Sequence, residues 1–233
     1  METLHNGFTL DVHPGVFPFS TDSMVLSHFA RLPKNARVLD LGAGSGCLGL
    51  LLCAKDPGCT VTGVELDEKA VRCARENILR NNLESRMSVL HADLKDHASL
   101  FAPGSFQCVI SNPPYFGGGP ASRSLHAARQ EENCRLTDIF RAAQWALQYG
   151  GDFFLVHRPD RMAEMIHLAC LNQLEPKRLC LLRHKPDLPI SLVLLSCKKG
   201  GKPGMQLEEI TLFNQDGSPT QRYRDIYHIE EEL

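Results

Sequence analysis

A large net charge, a paired-cysteine motif and a long apolar run are all missing from this 233-residue chain. The formal net charge of −2 argues against a uniformly basic nucleic-acid binder, although a local patch on a near-neutral surface can still hold a polyanion. Nine cysteines, scattered without a Cys-x-x-Cys pair, speak against a zinc ribbon or a disulfide framework and favour reduced thiols. No metal is expected. No apolar run approaches the length of a membrane span, and Met1 to Leu10 lacks the basic start and apolar core of a signal peptide. The expected protein is therefore soluble and cytoplasmic, without a membrane partner. Repeats and low-complexity tracts are also absent. Apolar residues are abundant, at 43%, enough to fill the core of one α/β domain.

From Arg37 onward, apolar runs alternate with helical patterns, the signature of a parallel sheet. Strands are expected at Arg37–Leu41, Thr60–Leu66, Met87–His91, Gln107–Ser111, Asp152–His157, Lys177–Leu182 and Ile190–Cys197. Helices are expected at Gly46–Ala54, Asp67–Asn81, Asp138–Tyr149 and Pro159–Asn172. In the second helix Asp67 is the expected N-cap, and Ala70, Val71, Ala74, Ile78 and Leu79 form an apolar stripe. A weak strand at Glu209–Phe213 and a turn at Asp216-Gly217 occupy the tail. The expectation is one domain over residues 1–233. An N-terminal segment (1–36) closes the active site, a core (37–199) carries a doubly wound, seven-stranded, mostly parallel sheet flanked by helices, and a tail (200–233) follows. In such a sheet ligands lie beyond the carboxyl ends of the strands.

The segment "VLDLGAGSGCLG", Val38 to Gly49, is a strand that runs through glycines into a helix. Glycine allows a tight turn and close backbone approach, and the helix N-terminus presents N–H groups to a ligand. Such a cradle accepts several nucleotides; Gly44-x-Gly46-x-x-Gly49 also fits the dinucleotide fingerprint, with Glu65 where a ribose-binding acid belongs. Asp40 discriminates between them, because a carboxylate two residues before Gly42 would repel a pyrophosphate and favour a cation. S-adenosyl-L-methionine is such a cation. Glu65, at the end of "TVTGVEL", can accept two hydrogen bonds from a ribose diol. Asp93, in "LHADL", can accept one from an adenine amine.

"VISNPPYF", Val109 to Phe116, ends a strand on Asn-Pro-Pro-Tyr. The prolines hold Asn112 and Pro113 in stiff, extended conformations. The Asn112 side-chain oxygen and the Pro113 carbonyl can each accept an N–H from a planar nitrogen, aiming it at a methyl sulfonium by positioning and preorganisation. Tyr115 offers a face for stacking. A surface Pro-Pro turn is the alternative.

"LDLGAGSG", "GVELD", "HADL" and "SNPPY", in this order, resemble the motifs of class I S-adenosylmethionine-dependent methyltransferases, with Asn-Pro-Pro-Tyr similar to the amino-methyltransferase subset. That subset spans adenine-N6, guanine-N2 and protein-glutamine enzymes, and the quartet does not choose between them. "FPFSTDSMVLSHFA", "HRPDRMAEM", "LEPKRL", "KKGGKPG" and "PTQRYRDIY" resemble the tRNA1(Val) adenine-N6-methyltransferase family over nearly the whole chain. The resemblance implies a Rossmann-like class I methyltransferase fold, S-adenosylmethionine as cofactor and tRNA as partner, the target being the adenine 3′ of the anticodon. It also implies cofactor contacts at Asp40, Gly42, Gly44, Gly46, Glu65, Leu66, Asp93, Leu94 and Asn112, and a catalytic set of Asn112, Pro113, Pro114 and Tyr115. Substrate contacts fall to Asp22, Tyr115, Phe116, Arg123 and Arg129, although Asp22 is equally suited to cap a helix starting near Ser23. Gln130 stands where the family often has His. For a phosphate-contacting face, His157 to Pro203 holds nine Lys or Arg against four acids. An rRNA guanine-N2 enzyme, a protein-glutamine enzyme and a non-catalytic RNA-binding protein on the same fold are the alternatives.

Overall fold

The computed structural model of the protein describes residues 1–4, 7–114 and 135–229. Its strands are β1 (Glu2–Thr3), β2 (Thr9–Leu10), β3 (Arg37–Leu41), β4 (Thr60–Glu65), β5 (Met87–His91), β6 (Phe106–Ser111), β7 (Leu147–His157), β8 (Leu174–Arg183), β9 (Leu192–Lys199) and β10 (Gln206–Thr211). The helices are α1 (Thr21–Phe29), α2 (Cys47–Lys55), α3 (Glu68–Arg80), α4 (Leu136–Ala146), α5 (Met162–Leu171) and α6 (Gln221–Tyr227), with short helical turns at Leu94–Asp96, His97–Leu100 and Pro159–Arg161. β1 and β2 form a separate antiparallel pair. The other eight strands form one sheet in the order β10-β8-β9-β7-β6-β3-β4-β5. Only β9 runs against its neighbours.

Alternation along the strands gives the sheet two apolar faces. Val38, Cys108, Ile110, Phe154 and Val156 face a core shared with Val25 and Leu26 of α1, Leu50 and Leu51 of α2, and Val71 and Ala74 of α3. Their chain neighbours Leu39, Val109, Phe153 and Leu155 face Ile139 and Phe140 of α4 and Met165 and Ala169 of α5. The Phe140 and Phe153 rings meet edge to face at 5.2 Å. None of the helices described is long and apolar enough to cross a membrane.

The expected seven strands become eight. The weak tail strand is β10, which pairs parallel with β8 from Gln206 opposite Arg178 to Thr211 opposite Arg183. Its one buried apolar side chain is Ile210, so periodicity gives little signal; the strand is held also by the Arg178–Glu208 ion pair at 2.7 Å. Asp67 caps α3 as expected, accepting from the Lys69 N–H at 2.8 Å. Leu79 does not belong to the buried stripe. It is 58% exposed, one helical step beyond Ile78, and Asn77 occupies the buried face instead. α4 stops at Ala146, three residues before the expected end, because Leu147 already pairs with Phe106 ahead of a register shift in β7.

Candidate active site

β3, β4, β5 and β6 are mutually parallel, so the segments that follow them converge on one edge of the sheet. Gly42 and Gly44 adopt left-handed backbone conformations, with φ of 79° and 54°. A side-chain carbon at either position would point into open space. The Gly42 and Ala43 N–H groups both donate to the Val64 carbonyl, at 2.9 and 3.1 Å, which ties the loop to β4. Gly46 follows as the N-cap of α2 and backs onto Met87 and Ala74. In front of the loop lies a cavity of about 470 Å³, lined by Gly42, Gly44, Glu65, Leu66, Asp93, Leu94, Asn112 and Pro114 among others. That volume lies within the range of small-molecule sites.

The three acids differ in their surroundings. Asp40 is fully buried, and neither carboxylate oxygen has a hydrogen-bond partner among the described residues. Burial, and next the charge of Glu65, push its pKa up to about 7. Such a carboxyl would ionise more readily beside a cationic ligand. Asp40 does not itself line the cavity, so it could act on a ligand there through charge but not through contact. Glu65 does line it, but its oxygens already accept the Gly44 and Asp67 N–H groups, each at 2.8 Å. It therefore shapes the glycine loop, and a ribose would use the remaining lone pairs. Asp93 accepts the Lys95 N–H at 2.9 Å and caps the turn after β5.

Asn112 leaves β6 with its side chain at the cavity. Its Nδ2 donates to the Ser23 Oγ of α1 at 3.0 Å. The planar amide thus has its nitrogen end on Ser23 and its oxygen at the opposite end. Pro113 is buried and Pro114 lines the cavity. Tyr115, Phe116, Arg123, Arg129 and Gln130 lie outside the described residues. Asp22 is in the first turn of α1, whose N-cap is Ser20, so Asp22 is not the cap.

Three sets of residues were not singled out from sequence, the first of them inside the N-terminal segment expected to close the site. Gly15, Val16, Phe17 and Pro18 form a strap along one wall of the cavity, with Phe17 52% exposed. Ser23 forms part of the wall beside Asn112. The third is a pair of asparagines one turn apart on α3, which hold the chain that leads into the strap. Asn77 accepts the Asp11 N–H at 2.9 Å and donates to the carbonyls of Asp11 and Ser45 at 2.8 and 3.0 Å. Asn81 both accepts from and donates to the Thr9 backbone at 2.8 Å. A polar residue on the apolar face of α3 is the sequence signal for this device.

The sheet also divides the basic cluster expected between His157 and Pro203. Arg158, Arg161, Arg183 and Lys185 follow or end β7 and β8, at the edge that carries the cavity. Lys198, Lys199 and Lys202 lie at the opposite edge, because β9 runs the other way. Lys198 pairs with Asp152 at 2.8 Å, Lys199 donates to the Gln144 and Leu147 carbonyls, and Lys177 donates to the Lys202 carbonyl. Arg178 is spent on Glu208 and on the Phe29 carbonyl. The reason is topological, since residues adjacent in sequence fall at opposite strand ends.

Residues 7–175 match the family model of the methyltransferase small domain. A tRNA1(Val) (adenine(37)-N6)-methyltransferase of Shewanella sp. (strain MR-4) is 30% identical over 214 residues, covering 90% of this chain and 89% of its own. The solved structure of a predicted O-methyltransferase from Agrobacterium tumefaciens superposes with a TM-score of 0.75 at 22% identity, over 89% of this chain and 96% of that one. The geranyl diphosphate C-methyltransferase of Streptomyces coelicolor A3(2), solved with S-adenosyl-L-homocysteine, shares the fold at a TM-score of 0.57 and 12% identity, over 76% and 78% of the two chains.

Proposed function

This chain belongs to the methyltransferase small domain family and, within it, to the tRNA1(Val) (adenine(37)-N6)-methyltransferases, and from that premise we propose that it methylates N6 of an adenine in tRNA, the one 3′ of the anticodon in valine tRNA. The observation that carries the reading is one cavity with the glycine loop of β3 on one wall and the Asn112 amide on another. S-adenosyl-L-methionine, when bound, supplies an electrophilic methyl group on a sulfonium. Gly42 and Gly44 leave room for it, Asp40 brings a buried carboxyl whose ionisation a nearby cation would favour, and Glu65 and Asp93 stand beside it with Leu66 and Leu94.

Adenine N6 is a poor nucleophile because its lone pair is delocalised into the ring. Asn112 Oδ1 and the Pro113 carbonyl are suited to accept its two hydrogens, so that the nitrogen is held in line while the lone pair turns toward the methyl group. No strong base is required, since the proton can leave after transfer. An adenine in an anticodon loop is unpaired and costs little to flip outward. Tyr115 and Phe116 would stack on the base, with Asp22, Arg123 and Arg129 around it.

The test is to incubate the protein with methyl-labelled cofactor and, separately, tRNA, ribosomal RNA and a release factor. N6-methyladenosine in tRNA is the expected product, and Asn112→Ala is expected to abolish it while cofactor binding persists. Label on guanine of ribosomal RNA or on glutamine alone would overturn the assignment.

A further inference from the structure

The amide of Asn112 works in this reaction only one way round. Its oxygen must meet the target amine; rotated by half a turn, it would present an N–H to an N–H. The two orientations have nearly the same shape, so packing alone discriminates poorly between them, and the choice falls to hydrogen bonding. We infer that Ser23 is the positioning residue that fixes this choice: its hydroxyl oxygen accepts from Asn112 Nδ2 at 3.0 Å and thereby turns Oδ1 toward the substrate side. The inference rests on the methyl-transfer reading above.

Ser23 suits the task by its surroundings. It is 7% exposed and still reaches the cavity wall. The Cys47 side chain at the start of α2 lines the same cavity. α1 is held at both ends. Thr21 bonds the Tyr227 hydroxyl at 3.1 Å, and at the other end the Phe29 carbonyl accepts from Arg178 at 3.0 Å while the Phe29 ring meets Phe154 edge to face. Between them Met24, Val25 and Leu26 are buried. A hydroxyl on such a clamped helix is a fixed reference point for a group 89 residues away in sequence.

Ser23→Ala should lower kcat about ten- to a hundredfold, the scale of a misaligned catalytic group, with S-adenosylmethionine affinity and Tm unchanged. Ser23→Thr, which keeps the hydroxyl, should recover most of the rate. A parental kcat in Ser23→Ala, or a loss that tracks Tm or cofactor affinity, would overturn the assignment. A second measurement needs no tRNA. In the unaltered protein the side-chain amide of Asn112, identified by its absence from the Asn112→Ala spectrum, should exchange slowly with solvent. Fast exchange there overturns the assignment even if Ser23→Ala fails to fold. Slow exchange in a protein that methylates no tRNA supports the Ser23 contact and sinks the functional reading instead.

Discussion

Asp40 enters the folded protein at an energetic loss, since its carboxylate is removed from water and given no donor in return. In the unfolded chain it ionises near its ordinary value, whereas in the fold it keeps its proton up to about pH 7. A raised folded pKa contributes stability that is complete at acid pH and is lost as pH climbs through that value. The free protein should therefore lose stability between about pH 4 and 7, and Asp40→Asn should flatten the decline, gaining on the order of 2–4 kcal/mol at pH 8. Urea midpoints at pH 5 and pH 8 check this, and parallel profiles for the two proteins would refute it. Asp40 was legible from sequence as an acid misplaced for a pyrophosphate. Its depth was not, because burial depends on the neighbouring strands β4 and β6.

At the scale of elements, α3 does more than cover the sheet. Its N-terminal half packs Ala70 and Cys73 against Val16 of the strap, and its C-terminal half holds Thr9, Asp11 and Ser45 through two asparagine side chains. Asn77→Ala leaves the Asp11 N–H and the Ser45 carbonyl without their side-chain partner. It should cost about 2–4 kcal/mol and weaken cofactor binding, since the strap and the glycine loop are anchored at the same point. Denaturant titration and calorimetry with S-adenosylmethionine measure the two effects; an unchanged affinity in a destabilised variant would separate the strap from the site. Strands β3 to β9 were legible because each is an apolar run with turn residues at its ends. The contacts of the asparagine pair were not, because their partners lie 66 and 72 residues away; only the place of Asn77 on the apolar face of α3 marks it locally. Leu79 shows the same limit from the other side: a count of apolar residues includes it, while the 100° step of the helix turns it outward.

For the whole molecule, the decisive feature is that charge is sorted by sheet edge and not by sequence window. Nine basic residues read as one patch along the chain, but only those after β7 and β8 share an edge with the cavity. Replacing Arg183 and Lys185 with Glu should raise KM for tRNA about tenfold or more and flatten its dependence on salt, because each phosphate no longer neutralised by the protein reduces the slope by about one. Lys202→Glu, at the far edge, should leave both unchanged. Equal effects from the two edges would mean that the RNA wraps further round the protein than this charge distribution indicates.

β10 and α6 also alter how the molecule comes into being. The aromatic rings of Phe213, Tyr223 and Tyr227 meet in series and end on Thr21, so a segment made after the sheet core braces a helix made before it. A nascent chain can build its glycine turn early, yet the wall behind Asn112 stays unbraced until β10 and α6 have emerged. An incomplete polypeptide arrested anywhere before β10 would therefore carry the signature motifs and lack a competent pocket.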